Sequence, residues 1–133
     1  MQKKCVAIVG GRLRALHYSV ATMFAVIDEY GGVEQALEAL DQPGMAGFDA
    51  VRWFAVALAN DAELCRRADG YDPQPMLAPG DVSPQMQPWA YEALRRAIVA
   101  AIAQGYNREV EAEETETDLG LAALNAKKEQ AGG

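Results

Sequence analysis

Two stretches of this chain read as β-strands, and they are neighbours near the amino terminus. They are residues 4–9 and 12–18, separated by Gly10-Gly11, a dipeptide that tolerates the positive φ angles of a tight two-residue turn. A lone β-hairpin is only marginally stable in water. The hairpin must therefore pack on helices or pair through its edge with a second copy of the chain. Self-association as a homo-oligomer stays open at this point.

The same segment, "VAIVGG", also looks like the first strand and turn of a dinucleotide-binding domain. That site needs glycines spaced G-x-G-x-x-G so that the backbone can approach a pyrophosphate closely. Counted from Gly10, the second and third glycines fall on Arg12 and Ala15, and counting from Gly11 also fails. We therefore favour the hairpin, and a nucleotide-binding enzyme or regulator is the least favoured interpretation.

The composition of the chain limits which classes of function remain possible. The chain has 133 residues, 50% of them hydrophobic, enough for one core in a single small domain. Its net charge of −7 works against binding to nucleic acid or to an anionic membrane. No apolar run is long enough to cross a membrane, and Gly10 and Arg12 interrupt the only candidate signal-peptide core. The expected location is the cytoplasm.

Candidate catalytic and metal-binding residues are few. His17 is the single histidine, so a histidine metal cluster is impossible, and packing in the core or at its rim is the expected role of this side chain. Cys5 and Cys65 have no nearby cysteine or histidine in the sequence. Asp61 and Glu63 lack a metal-loop spacing and read as ordinary surface charges. We expect no enzyme activity, no cofactor and no metal.

Four helices are predicted after the hairpin. Ser19 can cap the first, in which Val20, Met23, Phe24, Ile27 and Tyr30 recur at helical spacing, and Gly31-Gly32 end it. The others cover residues 33–40, 48–68 and 88–105, the last with Pro88 in its first turn. The predicted fold is α+β and mostly α-helical, with an amino-terminal β-hairpin packed on about four helices. Residues 1–107 form this single domain.

Residues 69–84 contain four prolines and are predicted to form a long loop. A long loop without regular structure in a small domain is more often functional or mobile than neutral, so this one is a candidate partner surface. Trp89 follows this loop. Our first interpretation is that it is a core aromatic, and the alternative is that it lines a docking groove. Arg66-Arg67 read first as a solvated helix face.

The carboxyl-terminal residues 108–133 form a predicted acidic, flexible tail. Its sequence "EVEAEETETD", residues 109–118, combines mutual charge repulsion with little apolar area, so we expect disorder. Leu121 and Leu124, which follow, could form a short helical turn only in a groove supplied by something else.

The order of these features resembles the tail assembly chaperones of long-tailed bacteriophages and prophages. The likeness covers nearly the whole chain, and four blocks carry it most specifically. They are "IDEYGGVEQALEAL", "RWFAVALAND", "GYDPQPM" and "DLGLAALNAKK". None of the four is a catalytic signature, so the match is one of pattern and order.

The resemblance implies a non-enzymatic factor of the host cytoplasm that coats the tape measure protein, keeps it soluble and brings tail tube subunits to it. Members of the family are generally absent from the mature virion. Many have a longer product, made by a programmed −1 frameshift, whose extra domain contacts the tube protein. Lys127-Lys128 could be encoded by a slippery adenine run. Because this chain ends in "EQAGG", we expect it to be the short form, which binds the tape measure protein only.

A tape measure protein is a long amphipathic helix, and its partner needs exposed apolar side chains to cover the apolar stripe. The candidate partner-binding residues are Met76, Leu77, Met86 and Trp89 around the proline-rich loop, with Met23 less favoured. The alternative interpretation is a structural head–tail or tail component retained in the virion.

Overall fold

The computed structural model describes residues 5–108. It is an α+β fold with an amino-terminal antiparallel hairpin and four α-helices, as the sequence predicted. The strands are β1 (Cys5–Val9) and β2 (Arg12–Leu16), and the helices are α1 (Val20–Tyr30), α2 (Val33–Leu40), α3 (Gly44–Ala68) and α4 (Pro88–Gly105). The segment between α3 and α4, residues 69–87, is called the proline loop below. It contains a short 3-10 helix, Pro79–Asp81.

The hairpin turn is the one that the glycine pair predicted. Val9 pairs with Arg12, so the turn consists of Gly10 and Gly11, whose φ angles are 62° and 79°. Both angles lie in the left-handed region, as a type I′ turn requires. The dinucleotide-loop alternative has no support in this geometry, because the chain reverses directly into a paired strand instead of entering a helix.

The second strand is shorter than predicted and ends at Leu16. The amide of His17 leaves the ladder and donates instead to the carbonyl of Leu58 on α3, at 3.1 Å. Tyr18 is buried against the end of α4, where a Cβ added at Gly105 would lie 2.6 Å from the tyrosine ring. These contacts hold the connection between β2 and α1 on the helices.

The hairpin has one buried and one exposed face. The buried face, which contacts α3 and α4, carries Ala7, Val9 and Leu16. The outer face carries large apolar side chains that remain exposed, namely Val6, Ile8 and Leu13. The hairpin therefore packs on the helices, which was one of the two predicted ways to stabilise it.

The central helix α3 begins four residues before the predicted start at Phe48. Gly44 and Gly47 lie in this added first turn, and glycine is more typical of turns than of helix interiors. Gly47 is instead helical, and a Cβ added there would lie 1.9 Å from the carbonyl oxygen of Gln42. The glycine permits the preceding turn to pack directly on the helix backbone, so a residue typical of turns lies inside the helix.

The core is organised around α3, which packs on β2, α2 and α4. The largest fully buried side chains of the core come from α3 and from the elements around it, and they include Leu40, Val51, Phe54, Leu58, Leu94 and Ile98. On α4 the buried side chains are Leu94, Ile98, Ala101 and Ile102, which recur at helical spacing. In the described part of the chain, no helix has the length and apolar character needed to cross a lipid bilayer.

Several sequence predictions concern residues beyond this range. The acidic segment 109–118, the residues around Leu121 and Leu124, and the Lys127-Lys128 pair all lie outside the described residues. Nothing in the described residues tests the predicted domain boundary after residue 107. These predictions stay predictions.

Candidate functional site

The proline loop is held against α3 by hydrogen bonds to its backbone. Asn60 donates from Nδ2 to the carbonyl of Leu77 at 3.0 Å, and the Leu77 amide donates to Asn60 Oδ1 at 2.7 Å. The Leu77 side chain is 6% exposed. The expectation that Leu77 offers an exposed apolar contact was therefore wrong, and this residue anchors the loop.

A buried carboxylate holds the start of the loop. Glu63 is 3% exposed and receives hydrogen bonds from Arg66 at 2.8 Å, from Arg67 at 3.0 Å and from the amide of Gln74 at 2.7 Å. The Gln74 amide and then the two guanidinium groups lower the pKa of Glu63 to about 2, although burial alone would raise it. The interpretation of Glu63 as an ordinary surface charge was wrong.

The two arginines reach past Glu63 to the loop itself. Arg66 donates to the carbonyl of Asp72 and Arg67 to that of Gln74. Arg66 also lies over the ring of Tyr71, 5.2 Å from its centre. Their role is to hold the loop, which sequence reasoning missed because it took the pair for a solvated helix face.

The end of the loop is held in the same manner by the first half of α3. Arg52 donates two hydrogen bonds to the carbonyl of the fully buried Val82, at 3.1 and 2.9 Å. Its guanidinium group lies 4.8 Å from the centre of the Phe48 ring. Arg52 thus ties the loop to the helix beside an aromatic side chain that forms part of a groove.

That groove, called the apolar groove below, lies where α2, α3, the proline loop and α4 meet. Its cavity volume is about 490 Å³. Its lining is mostly apolar and includes Leu40, Pro43, Met45, Phe48, Pro84, Met86, Pro88 and Tyr91. Such a concave apolar surface, with flexible methionines in its walls, can accept apolar side chains of varied shape.

Charged residues lie at the rim of the apolar groove and face each other. Arg95 forms an ion pair with Glu92 at 2.7 Å and lies 3.7 Å from Asp41. On the floor, the rings of Phe48 and Tyr91 stack with centres 6.0 Å apart. Within the described residues, the groove thus combines an apolar floor with charged groups that lie close to one another.

The four predicted partner-binding residues do not form one surface. Met86 lines the apolar groove, and Trp89 follows Pro88 in the first turn of α4 with 68% of its surface exposed, so its interpretation as a core aromatic was wrong. Met76 is 40% exposed but lies in the middle of the loop, beside the buried Leu77. Asn60, which holds the loop at Leu77, and Phe48, which lines the groove, are about 18 Å apart along α3.

Sequence reasoning missed much of the groove wall. Met45 is 61% exposed and lies before residue 48, where the central helix was predicted to begin. Tyr91 continues the helical spacing of the buried α4 residues Leu94 and Ile98, but it is only half-buried and lines the groove. The available signal was the "MAGF" sequence before the predicted helix start, which continues the apolar face of α3 by one turn.

A further apolar surface is exposed besides the outer face of the hairpin and the apolar groove. Helix α1 presents Val20, Phe24 and Ile27, spaced at i, i+4 and i+7 and each at least 46% exposed, so these side chains share one face. The less favoured candidate Met23 is half-buried against the core instead. Helix α1 thus provides a convex surface with which the concave groove can be compared experimentally.

Comparison of this chain with protein-family models, with curated proteins and with solved structures found no match.

Proposed function

We propose that this protein is a phage or prophage tail assembly chaperone, and that its apolar groove binds the apolar stripe of the tape measure protein. The observation that carries the proposal is the groove itself, a cavity of about 490 Å³ walled by methionine and aromatic side chains and flanked by the exposed Trp89. The order of sequence blocks resembling that family supports the same role. The protein acts by binding and is not an enzyme.

The physical basis of the interaction is burial of apolar surface. Removing one large aliphatic or aromatic side chain from water contributes roughly 1.5–3 kcal/mol, so two or three side chains of an amphipathic helix, inserted together, give useful affinity. Met45 and Met86 can change rotamer to fit successive, non-identical segments of a long helix. One small domain can thus coat such a helix at many places.

Charge then keeps the coated complex dispersed. The chain carries a net charge of −7, and repulsion between many bound copies opposes aggregation. On this proposal the protein works in the host cytoplasm and leaves before the virion is complete. A longer frameshift product, where one is made, brings the tail tube protein to the same complex.

The test is co-expression of the tape measure protein with matched variants. Met45→Glu and Trp89→Ala change side chains that are 61% and 68% exposed, so both variants should fold. We expect each to reduce the fraction of soluble tape measure protein, because each weakens an anchor that typically contributes about 2 kcal/mol. The matched control is Phe24→Ala, which removes a 57% exposed aromatic ring from α1.

Two results would contradict the proposal. Full solubility with both Met45→Glu, in the groove, and Trp89→Ala, next to the groove residue Pro88, would remove this region as the binding surface, and loss of solubility with Phe24→Ala alone would place binding on α1. Detection of the chain in purified virions would favour the alternative, a structural head–tail or tail component. In that case the exposed outer face of the hairpin would be the first surface to examine for a permanent interface.

A further inference from the structure

Three side chains with different metal-ligating atoms meet where the connection between β2 and α1 crosses α3. They are His17, Asp61 and Cys65, and an imidazole nitrogen, a carboxylate oxygen and the thiol sulfur all lie within 4.8 Å of one another. We propose that this cluster is a zinc-binding site. The site is independent of the proposed chaperone function and contradicts the sequence-based expectation of no metal.

The fold brings the three residues together for reasons that involve no metal. Asp61 and Cys65 are four residues apart on α3 and therefore share one face of the helix. His17 is brought to that face because its own amide donates to the carbonyl of Leu58, one turn earlier on α3, at 3.1 Å. Two ligands thus come from a rigid helix and the third from a backbone segment fixed to it.

The carboxylate is oriented by hydrogen bonds. Asp61 accepts from the amide of Ser19 at 3.2 Å and from the hydroxyl groups of Ser19 and Thr22. Among the described residues, each of these bonds ends on Oδ2, which leaves Oδ1 for a metal ion. Polar groups that fix a ligand through its other atom in this way are typical of metal sites and raise their affinity.

The distances suit zinc after a small side-chain rotation. In a tetrahedral zinc site with one sulfur ligand and bonds of 2.0–2.3 Å, the ligand atoms lie roughly 3.3–3.6 Å apart, more than about 1 Å closer than the 4.8 Å limit of this cluster. His17 and Cys65 are exposed and can rotate without disturbing the core. A water molecule would complete the coordination, and the thiol proton would pass to solvent when the metal binds.

The mixture of donors selects the metal. Imidazole, thiolate and carboxylate are all zinc ligands, whereas calcium and magnesium prefer sites made of oxygen atoms alone. The sequence did not reveal the site because positions 17, 61 and 65 match no zinc-finger spacing. Asp61 is also about 20 Å along α3 from Phe48 in the apolar groove, so variants at one site should leave the other unchanged.

The experiment uses the full chain with any affinity tag removed. Zinc binding is measured by competition with a chromophoric chelator, and cobalt is used as a spectroscopic probe because a thiolate ligand gives a charge-transfer band in the near ultraviolet. The variants are His17→Ala and Cys65→Ser, and the control is Cys5→Ser, which removes the chain's other cysteine. Circular dichroism and the metal-free Tm establish that each variant is folded.

We expect the wild type to bind one zinc ion per chain. The affinity should be at least about tenfold weaker in His17→Ala and in Cys65→Ser, and the cobalt band should be lost in Cys65→Ser but kept in Cys5→Ser. His17 is the only histidine, so its ring protons give one set of NMR signals, which zinc should shift. Absence of stoichiometric zinc binding would overturn the proposal. A cobalt band that persists in Cys65→Ser, or a histidine spectrum unchanged by bound zinc, would overturn it as well.

Discussion

Replacing Asn60 with alanine tests whether side chains of α3 determine the conformation of the proline loop. Asn60 makes two hydrogen bonds to the backbone of Leu77, at 3.0 and 2.7 Å, and Leu77 is buried. Removing the amide leaves a backbone N–H and a carbonyl without this partner, at about 1–3 kcal/mol for each unsatisfied group. We expect Asn60→Ala to lower the free energy of unfolding by about 2–4 kcal/mol.

That loss is large compared with the roughly 5–15 kcal/mol by which small domains are stable. In a domain of this size, each kcal/mol lowers the Tm by about 4–8 °C, so the Tm should fall by at least about 8 °C. Urea unfolding gives the free energy, and native-state hydrogen exchange reports the Leu77 amide directly. The amide should lose its protection in the variant while those in the middle of α4 keep theirs.

The control is Gln85→Ala, which removes an exposed amide from the same loop and should change stability by less than about 0.5 kcal/mol. The reasoning would be refuted if Asn60→Ala unfolded within about 0.5 kcal/mol of the wild type, or if the Leu77 amide kept its protection. Either result would mean that packing alone holds the loop.

Two further predictions concern the same framework. The folded-state pKa of Glu63, about 2, lies below its ordinary value of 4.5. The stabilising contribution of this carboxylate is therefore complete above about pH 4.5 and is lost as the pH falls toward 2. The difference in stability between the wild type and Glu63→Gln, measured by urea unfolding, should shrink over that range and stay constant above it. Gly47→Ala places a Cβ 1.9 Å from the carbonyl oxygen of Gln42 and should cost about 1–3 kcal/mol, whereas Gly80→Ala, with nothing within 4 Å of the added Cβ, should be nearly neutral in the same assay.

The elements that could be predicted from the sequence are those determined by neighbouring residues. The Gly10-Gly11 turn, the Ser19 cap and the end of α1 at Gly31 follow from local backbone preferences, and all three are found. The central helix was predicted too short because the role of Gly47 depends on the carbonyl of Gln42 packing against it. A glycine required for close packing has the same local signature as one that ends a helix.

The loop and its surroundings depend on contacts between distant residues, which a single sequence does not display. Four prolines correctly excluded helix from most of residues 69–84. They gave no sign that Asn60 and Glu63, on the preceding helix, bind the loop backbone. The exposure of the candidate partner-binding residues could not be predicted for the same reason. Leu77 and Trp89 have similar apolar character, yet Leu77 is 6% exposed and Trp89 is 68% exposed.

The most direct test of the central claim is to follow the methionine methyl groups by NMR while a helical segment of the tape measure protein is added. The chain has five methionines; Met45 and Met86 line the apolar groove, whereas Met23 belongs to α1 and packs against the core and Met76 lies in the middle of the proline loop. Binding in the groove predicts that the signals of Met45 and Met86 shift together and saturate, with Met23 and Met76 unchanged. Shifts confined to Met23 or Met76, or no shift at any methionine, would contradict the account.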